Sequence, residues 1–166
     1  ERWESWNALN LPGYGLFNTS MCKTDDEYVL MFEVGKPPDV AGVRFTARFA
    51  SSRDLREWEL TPPECTYAKD RYTAPHALRY LDGWFYNFYL EALPDGWEQY
   101  VVRSRDLIRW EQSPHNPVLQ ASEADRSIRN PRLSEAQRNR IATAENRNNS
   151  DIDFCEYGGR LVINYS

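Results

Sequence analysis

Asp151 and Asp153 stand two apart in "NNSDID" (148–153), at the head of a segment with strand character. In an extended chain, residues i and i+2 share a face. Two carboxylates that close resist joint ionisation, which suits one to hold a proton while the other stays charged. The same pattern also fits a strand-start cap or a cation site. Glu33 closes "YVLMFE" (28–33) and Glu91 closes "WFYNFYLE" (84–91), each the sole acid of an otherwise apolar run. Such a strand-end carboxylate either meets a ligand or sits in solvent. The histidines, His76 and His115, and the cysteines, Cys22, Cys65 and Cys155, show no metal-ligand spacing. No zinc site is expected, and the three cysteines, odd in number, read as buried free thiols. That reading goes with a reducing compartment, although export stays open.

The elements that must position these residues are set by a repeat. "SSRDLREWEL" (51–60) returns as "RSRDLIRWEQ" (103–112), and self-similarity at a fixed period marks repeat architectures. Upstream of the first copy, Val43, Phe45, Ala47 and Phe49 alternate with polar residues, the period of a half-buried strand. "GWEQYVVRSRD" (96–106) reads the same way. Each Ser-Arg-Asp-Leu is a turn, with Asp bonding forward to the backbone, and a Trp strand follows. "ERWESW" (1–6) reads as the tail of a third copy, with Trp3 in the place of Trp58 and Trp110.

Hairpins complete the units. "NTSMCK" (18–23) turns at "TDDE" into "YVLMFE"; "APHALRY" (74–80) turns at "LDG" into "WFYNFYLE"; and "DIDFCEY" (151–157) turns at "GG" into "RLVINYS" (160–166). A period near fifty with about four strands per unit is that of propeller blades. The expected layout is the end of a blade at 1–15, blades at 16–62 and 72–113, an insertion at 114–147, and half a blade at 148–166. Within the insertion, Ser134 with Gln137 three residues on forms a capping box for a surface helix over 134–146. A ring cut at both ends is expected to be a fragment of a longer chain.

Composition narrows the partners. With 41% hydrophobic and 27% charged residues the chain is globular. A net charge of −5 with no basic stripe excludes the phosphate neutralisation that nucleic-acid binding needs. No run of eighteen apolar residues exists, so no membrane helix is expected. Aromatic residues, 14% of the chain, suit packing between strands and also the C–H face of a pyranose.

The repeated Ser-x-Asp-Leu-x-x-Trp element, "APHALRYLDGWFYNFYL" (74–90) and "SDIDFCEYGGRLVINYS" (150–166) resemble the five-bladed β-propeller glycosidases, the superfamily of glycoside hydrolase families 32, 43, 62, 68 and 130. The resemblance implies an all-β five-bladed propeller, about three blades of it present, acting on a poly- or oligosaccharide. It places chemistry where inner strands begin, at Asn18, Ala74 and Asp151. Glycoside hydrolysis uses two carboxyl groups. Asp151 and Asp153 are therefore the expected catalytic pair, with Asn18, His76, Glu33 and Glu91 as sugar-binding residues. His76 departs from the family 43 pattern, which has Asp after Ala-Pro, and reads equally as a structural histidine. A remaining carboxylate is expected on a blade outside the chain. No organic cofactor is implied, though a Ca²⁺ in the central channel would suit Asp and Asn oxygens. The partner implied is a carbohydrate, with no nucleic acid or membrane and no indication of oligomeric state. A non-catalytic carbohydrate-binding or interaction propeller, and a phosphorylase or transferase on the same fold, are the alternatives.

Overall fold

A computed structural model describes residues 2–94, 96–145 and 149–165. The chain is all-β, built mostly of antiparallel sheets. The first sheet runs β1 (Gly15–Lys23), β2 (Tyr28–Lys36), β3 (Thr46–Ser52) and the short β4 (Glu59–Leu60), with β5 (Thr66–Tyr67) also paired to β3. The four-residue helix α1 (Pro38–Ala41) bridges β2 and β3. The second sheet holds β6 (His76–Leu81), β7 (Trp84–Leu93) and β8 (Gly96–Ser104), with β9 (Glu111–Gln112) and β10 (Leu119–Gln120) both paired to β8. A 3₁₀ turn (Glu123–Arg126) and α2 (Glu135–Ala142) lead to the hairpin β11 (Asp153–Tyr157) and β12 (Arg160–Asn164).

The hairpins follow their turn chemistry. Asp82-Gly83 and Gly158-Gly159 are two-residue loops in which both residues have positive φ, the backbone a twisted hairpin requires. The repeated turn is the same object twice. Ser52 Oγ accepts from the backbone N–H groups of Asp54 and Leu55, and Asp54 Oδ1 accepts from those of Arg56 and Glu57. In the second copy Ser104 Oγ accepts from Asp106 N–H, and Asp106 Oδ1 from those of Ile108 and Arg109. Leu55 and Leu107 take matching positive φ values of 65° and 61°.

Alternation on β2, β3, β6, β7 and β8 turns Met31, Phe49, Leu78, Tyr89 and Val102 into one core between the two sheets. Trp110 closes its outer end, stacking on Phe49 and donating Nε1–H to Thr66 O. A smaller cluster on the opposite face of the first sheet joins Phe32, Val34 and Ala50 to Leu9, Leu11, Tyr14 and Trp58. The repeat thus packs units against their neighbours. The first strands also lie side by side: Ser20 Oγ of β1 accepts from Leu78 N–H of β6, and Arg79 of β6 reaches Asp153 and Phe154 O of β11.

Several expectations are corrected. The strand expected from Val43 starts at Thr46, because α1 occupies 38–41 and Phe45 sits at φ 69°. Trp3 is 91% exposed. Trp6 instead donates to Leu55 O, and it precedes Trp58 by the spacing that separates Trp58 from Trp110. Glu33 and Glu91 do not end their strands, since β2 continues to Lys36 and β7 to Leu93. Ser134 and Gln137 do form the capping box, but the helix stops at Ala142, and position 146 lies outside the described residues. Positions 1, 148 and 166 of the expected units also lie outside them. Cys22 and Cys65 are buried free thiols, with Cys22 pushed up to about 12 by burial, whereas Cys155 is exposed.

Backbone donors hold the carboxyls of Asp54 and Asp106 below the usual range, more strongly at Asp106. A depressed folded-state value adds stability that is complete above the unfolded value, about 3.9, and is lost as pH falls below it. The melting temperature should therefore drop as pH is lowered from 5 to 3. The double variant Asp54→Asn/Asp106→Asn should show a shallower drop, and identical slopes would refute the linkage.

Candidate functional site

Glu33 has no solvent exposure, yet its carboxylate faces the gap between the two sheets. A buried charge persists only when paired and hydrogen-bonded, and three donors meet it. Oε1 accepts the backbone N–H of His76 at 3.0 Å and lies 3.1 Å from Nδ1 of the same ring. Oε2 accepts from Asn18 Nδ2 at 3.1 Å. With a carboxylate opposite, Nδ1 carries a hydrogen. The far side of the ring, Nε2, lies 3.0 Å from Thr73 Oγ1. Hydroxyl, imidazole and carboxylate follow the order of a nucleophilic triad, but Thr73 is fully buried, so no substrate reaches its oxygen. The chain of bonds is a support, and its exposed end is Asn18.

Asn18 reaches this position through an irregularity. Phe17 pairs with Glu33 and Thr19 with Phe32, leaving Asn18 as an extra residue in β1. Such a bulge re-aims side chains. Consecutive residues Phe17 and Asn18 therefore line the same cleft. A compensating shift near Gly35 restores the register, and a Cβ on Gly35 would fall 2.7 Å from the Phe17 ring.

Two open clefts, of about 480 and 430 Å³, meet at Asn18, Pro75 and Asp151. The larger is walled by Phe17, Phe45, Tyr72 and Trp97, with Glu33 and Ser150. The smaller runs along the three first strands, past Ser20, His76, Arg79 and Asp153. Burial and the nearby carboxylates of Glu33 and Asp151 raise the Tyr72 phenol above its ordinary value. Tyr72 shares the larger cleft with both acids.

The aspartates come together differently from the strand alternation expected of them. β11 begins only at Asp153, and Asp151 lies before it at φ 50°, a left-handed conformation that Asp tolerates. Both line the smaller cleft nonetheless. Asp153 is ion-paired to Arg79, whose guanidinium lies over the Phe154 ring and also donates to the Leu78 and Phe154 carbonyls. Ser150 Oγ donates to Asp151 Oδ2.

Glu91 lies elsewhere. It lines neither cleft and is bonded through both oxygens to Arg71 Nε, in a network with the Tyr67 and Tyr89 hydroxyls. Among the described residues no three His, Cys, Asp or Glu side chains are grouped to hold a metal ion. The aromatic wall went unnoticed in the sequence, because its four residues are scattered over eighty positions; only the non-glycine strain at Phe45 marks it, and φ is not written in sequence.

No protein-family profile matches the chain, and no curated protein is similar to it. Solved structures are similar at low identity. One comes from the GH130 family of mannoside phosphorylases, which contains glycoside hydrolases that target β-1,2 mannosidic linkages in Candida mannan. It is 16% identical with a TM-score of 0.47, over 60% of this chain and 31% of that one. Another is a glycosyl hydrolase from Bacteroides ovatus, 18% identical with a TM-score of 0.47, over 60% of this chain and 31% of that one. The chain thus spans about a third of the length of these structures.

Removing the buried acceptor strands the two His76 donors. Glu33→Ala should cost about 2–5 kcal/mol in denaturant unfolding. Glu91→Ala, whose partner Arg71 is partly exposed and keeps its tyrosines, should cost on the order of 1 kcal/mol. Equal losses would remove the distinction drawn between the two glutamates.

Proposed function

We propose that the chain belongs to a five-bladed propeller glycosidase and that the trough formed by its two clefts binds carbohydrate, with Asp151 as the acid–base residue. The observation that carries this reading is the meeting of the two clefts at Asn18, Pro75 and Asp151. There an acid, an amide and apolar rings converge where the first strands of both sheets and the hairpin come together. Pockets that bind small molecules combine an apolar lining with a few polar groups in this way. The adjacency of β1, β6 and β11 supports reading them as inner strands of successive blades, with the boundaries given by the repeat.

Local charge selects among chemistries on this fold. Among the described residues the clefts are lined by Glu33, Asp151 and Asp153 against one cation, Arg79, already neutralised by Asp153. This acidic lining supports a neutral sugar over phosphate or a uronic acid, and with it hydrolysis over phosphorolysis. His76 cannot contact a sugar carboxylate, because its ring is enclosed and both nitrogens are engaged. It holds Glu33, which holds Asn18 against the ligand's hydroxyls.

One observation favours a second reading, sugar binding without catalysis. Hydrolysis calls for two carboxyl groups, and here Glu33 is held by three donors and Asp153 by Arg79.

Screening against chromogenic glycosides and polysaccharides separates the two. Asp151→Asn should lower turnover about 10²–10⁴-fold with binding retained. Asp153→Asn should lower it less, through loosening of β11. Binding without turnover by the unaltered protein would establish the second reading. Full turnover in both variants would sink the site assignment, and absence of any cleavage or binding would sink the carbohydrate reading.

A further inference from the structure

Four aromatic side chains that no catalytic argument uses form a continuous wall. Phe17 comes from β1, Phe45 from the segment before β3, Tyr72 from the segment before β6, and Trp97 from β8. Their contacts run in series: Phe17 to Phe45 at 4.7 Å, Phe45 to Tyr72 at 5.5 Å and Tyr72 to Trp97 at 5.4 Å, each edge to face. None is fully buried, and Phe17 keeps 48% of its surface exposed. Packing alone would bury these rings in the core between the sheets, where Phe49 and Tyr89 are hidden completely.

The backbone shows the cost of placing one of them. Phe45 holds φ at 69°, a genuine outlier for a bulky side chain. Residues held in such conformations cluster at ligand sites, where surrounding structure over-determines them. Its backbone N–H is bound to Val34 O, which keeps the residue there. Gly35 contributes the second concession, leaving open the space across which the Phe17 ring lies.

The linings of the two halves differ, although both carry polar groups. One half has the aromatic wall, the other the hydroxyls of Thr19 and Ser20 with Asp153 and Arg79, and the two share Asn18, Pro75 and Asp151. Each cleft alone has a volume in the range of small-molecule sites. These linings match an occupant with a broad C–H face toward the rings, hydroxyls along its edge, and no charge to meet the carboxylates of Glu33, Asp151 and Asp153.

We propose that the trough holds two adjoining sugar units, one stacked on the Phe17–Phe45–Tyr72–Trp97 wall and one in the polar half, so that the ligand is a neutral oligosaccharide whose glycosidic linkage crosses the Asn18–Asp151 junction. This rests on the carbohydrate reading above and extends it to the minimum length of the ligand.

Calorimetry on the intact protein tests it with cellobiose, mannobiose, xylobiose, arabinobiose and lactose beside their monosaccharides. At least one disaccharide should bind roughly tenfold tighter than its monosaccharide. Trp97→Ala and Phe45→Gly should each remove most of that advantage. Phe45→Gly also relieves the positive φ, so its melting temperature should not fall by more than loss of the ring contacts explains. Trp97→Phe should retain the preference. Unchanged disaccharide affinity in folded Trp97→Ala and Phe45→Gly would overturn the wall while leaving the carbohydrate reading intact. A protein that binds none of these sugars would overturn both.

Discussion

A carboxylate with no access to water sets the terms for this molecule. A carboxyl enclosed between two sheets must find donors for its oxygens there, and Glu33 does. Its three hydrogen bonds come from β1 and β6, so satisfying the charge also locks the first strand of one sheet to that of the next. Removing one partner from such an arrangement costs far more than the arrangement itself contributes. The trough floor inherits that rigidity. Asn18 is held by a bond from below, and the backbone of His76 is pinned where the two clefts run together.

Around that anchor the apolar interface does the bulk work. Met31, Phe49, Leu78, Tyr89 and Val102 fill the space between the sheets, and their burial supplies most of the driving force. One polar set inside this interface is fully joined, whereas the buried Asn87 amide has no side-chain partner among the described residues. Arg71 joins Glu91, Tyr67 and Tyr89, and Gln112 approaches the same two hydroxyls. A site built on strands is more precise than one built on loops.

Legibility varied with how local the cause was. The Asp-Gly and Gly-Gly turns, the doubled Ser-Arg-Asp-Leu turn and the Ser134–Gln137 capping box are each specified within a few residues, and each could be read from them. Asn18, His76, Glu33, Asp151 and Asp153 were also found as residues lining the trough, because they stand near the strand starts that the repeat located. Their geometry was another matter. Alternation predicted that Asp151 and Asp153 share a strand face, but a left-handed residue precedes the strand. Symmetry between repeats made Glu33 and Glu91 equivalent, yet one accepts from a histidine and the other from an arginine. Equivalent positions in successive sheets met different neighbours.

What the sequence by itself determined is the period, the turns and the alternation that makes sheets with one shared core. These depend on backbone preferences and hydrophobic pattern, which act over short spans. What only the tertiary structure decided is which polar groups are paired and which face a ligand. The bulge at Asn18 and the positive φ at Phe45 are held by bonds to Glu33 and Val34 of β2. A trough is a relation between β1, β6 and β11, elements up to 130 residues apart, and packing free energy, not local propensity, brings such elements together.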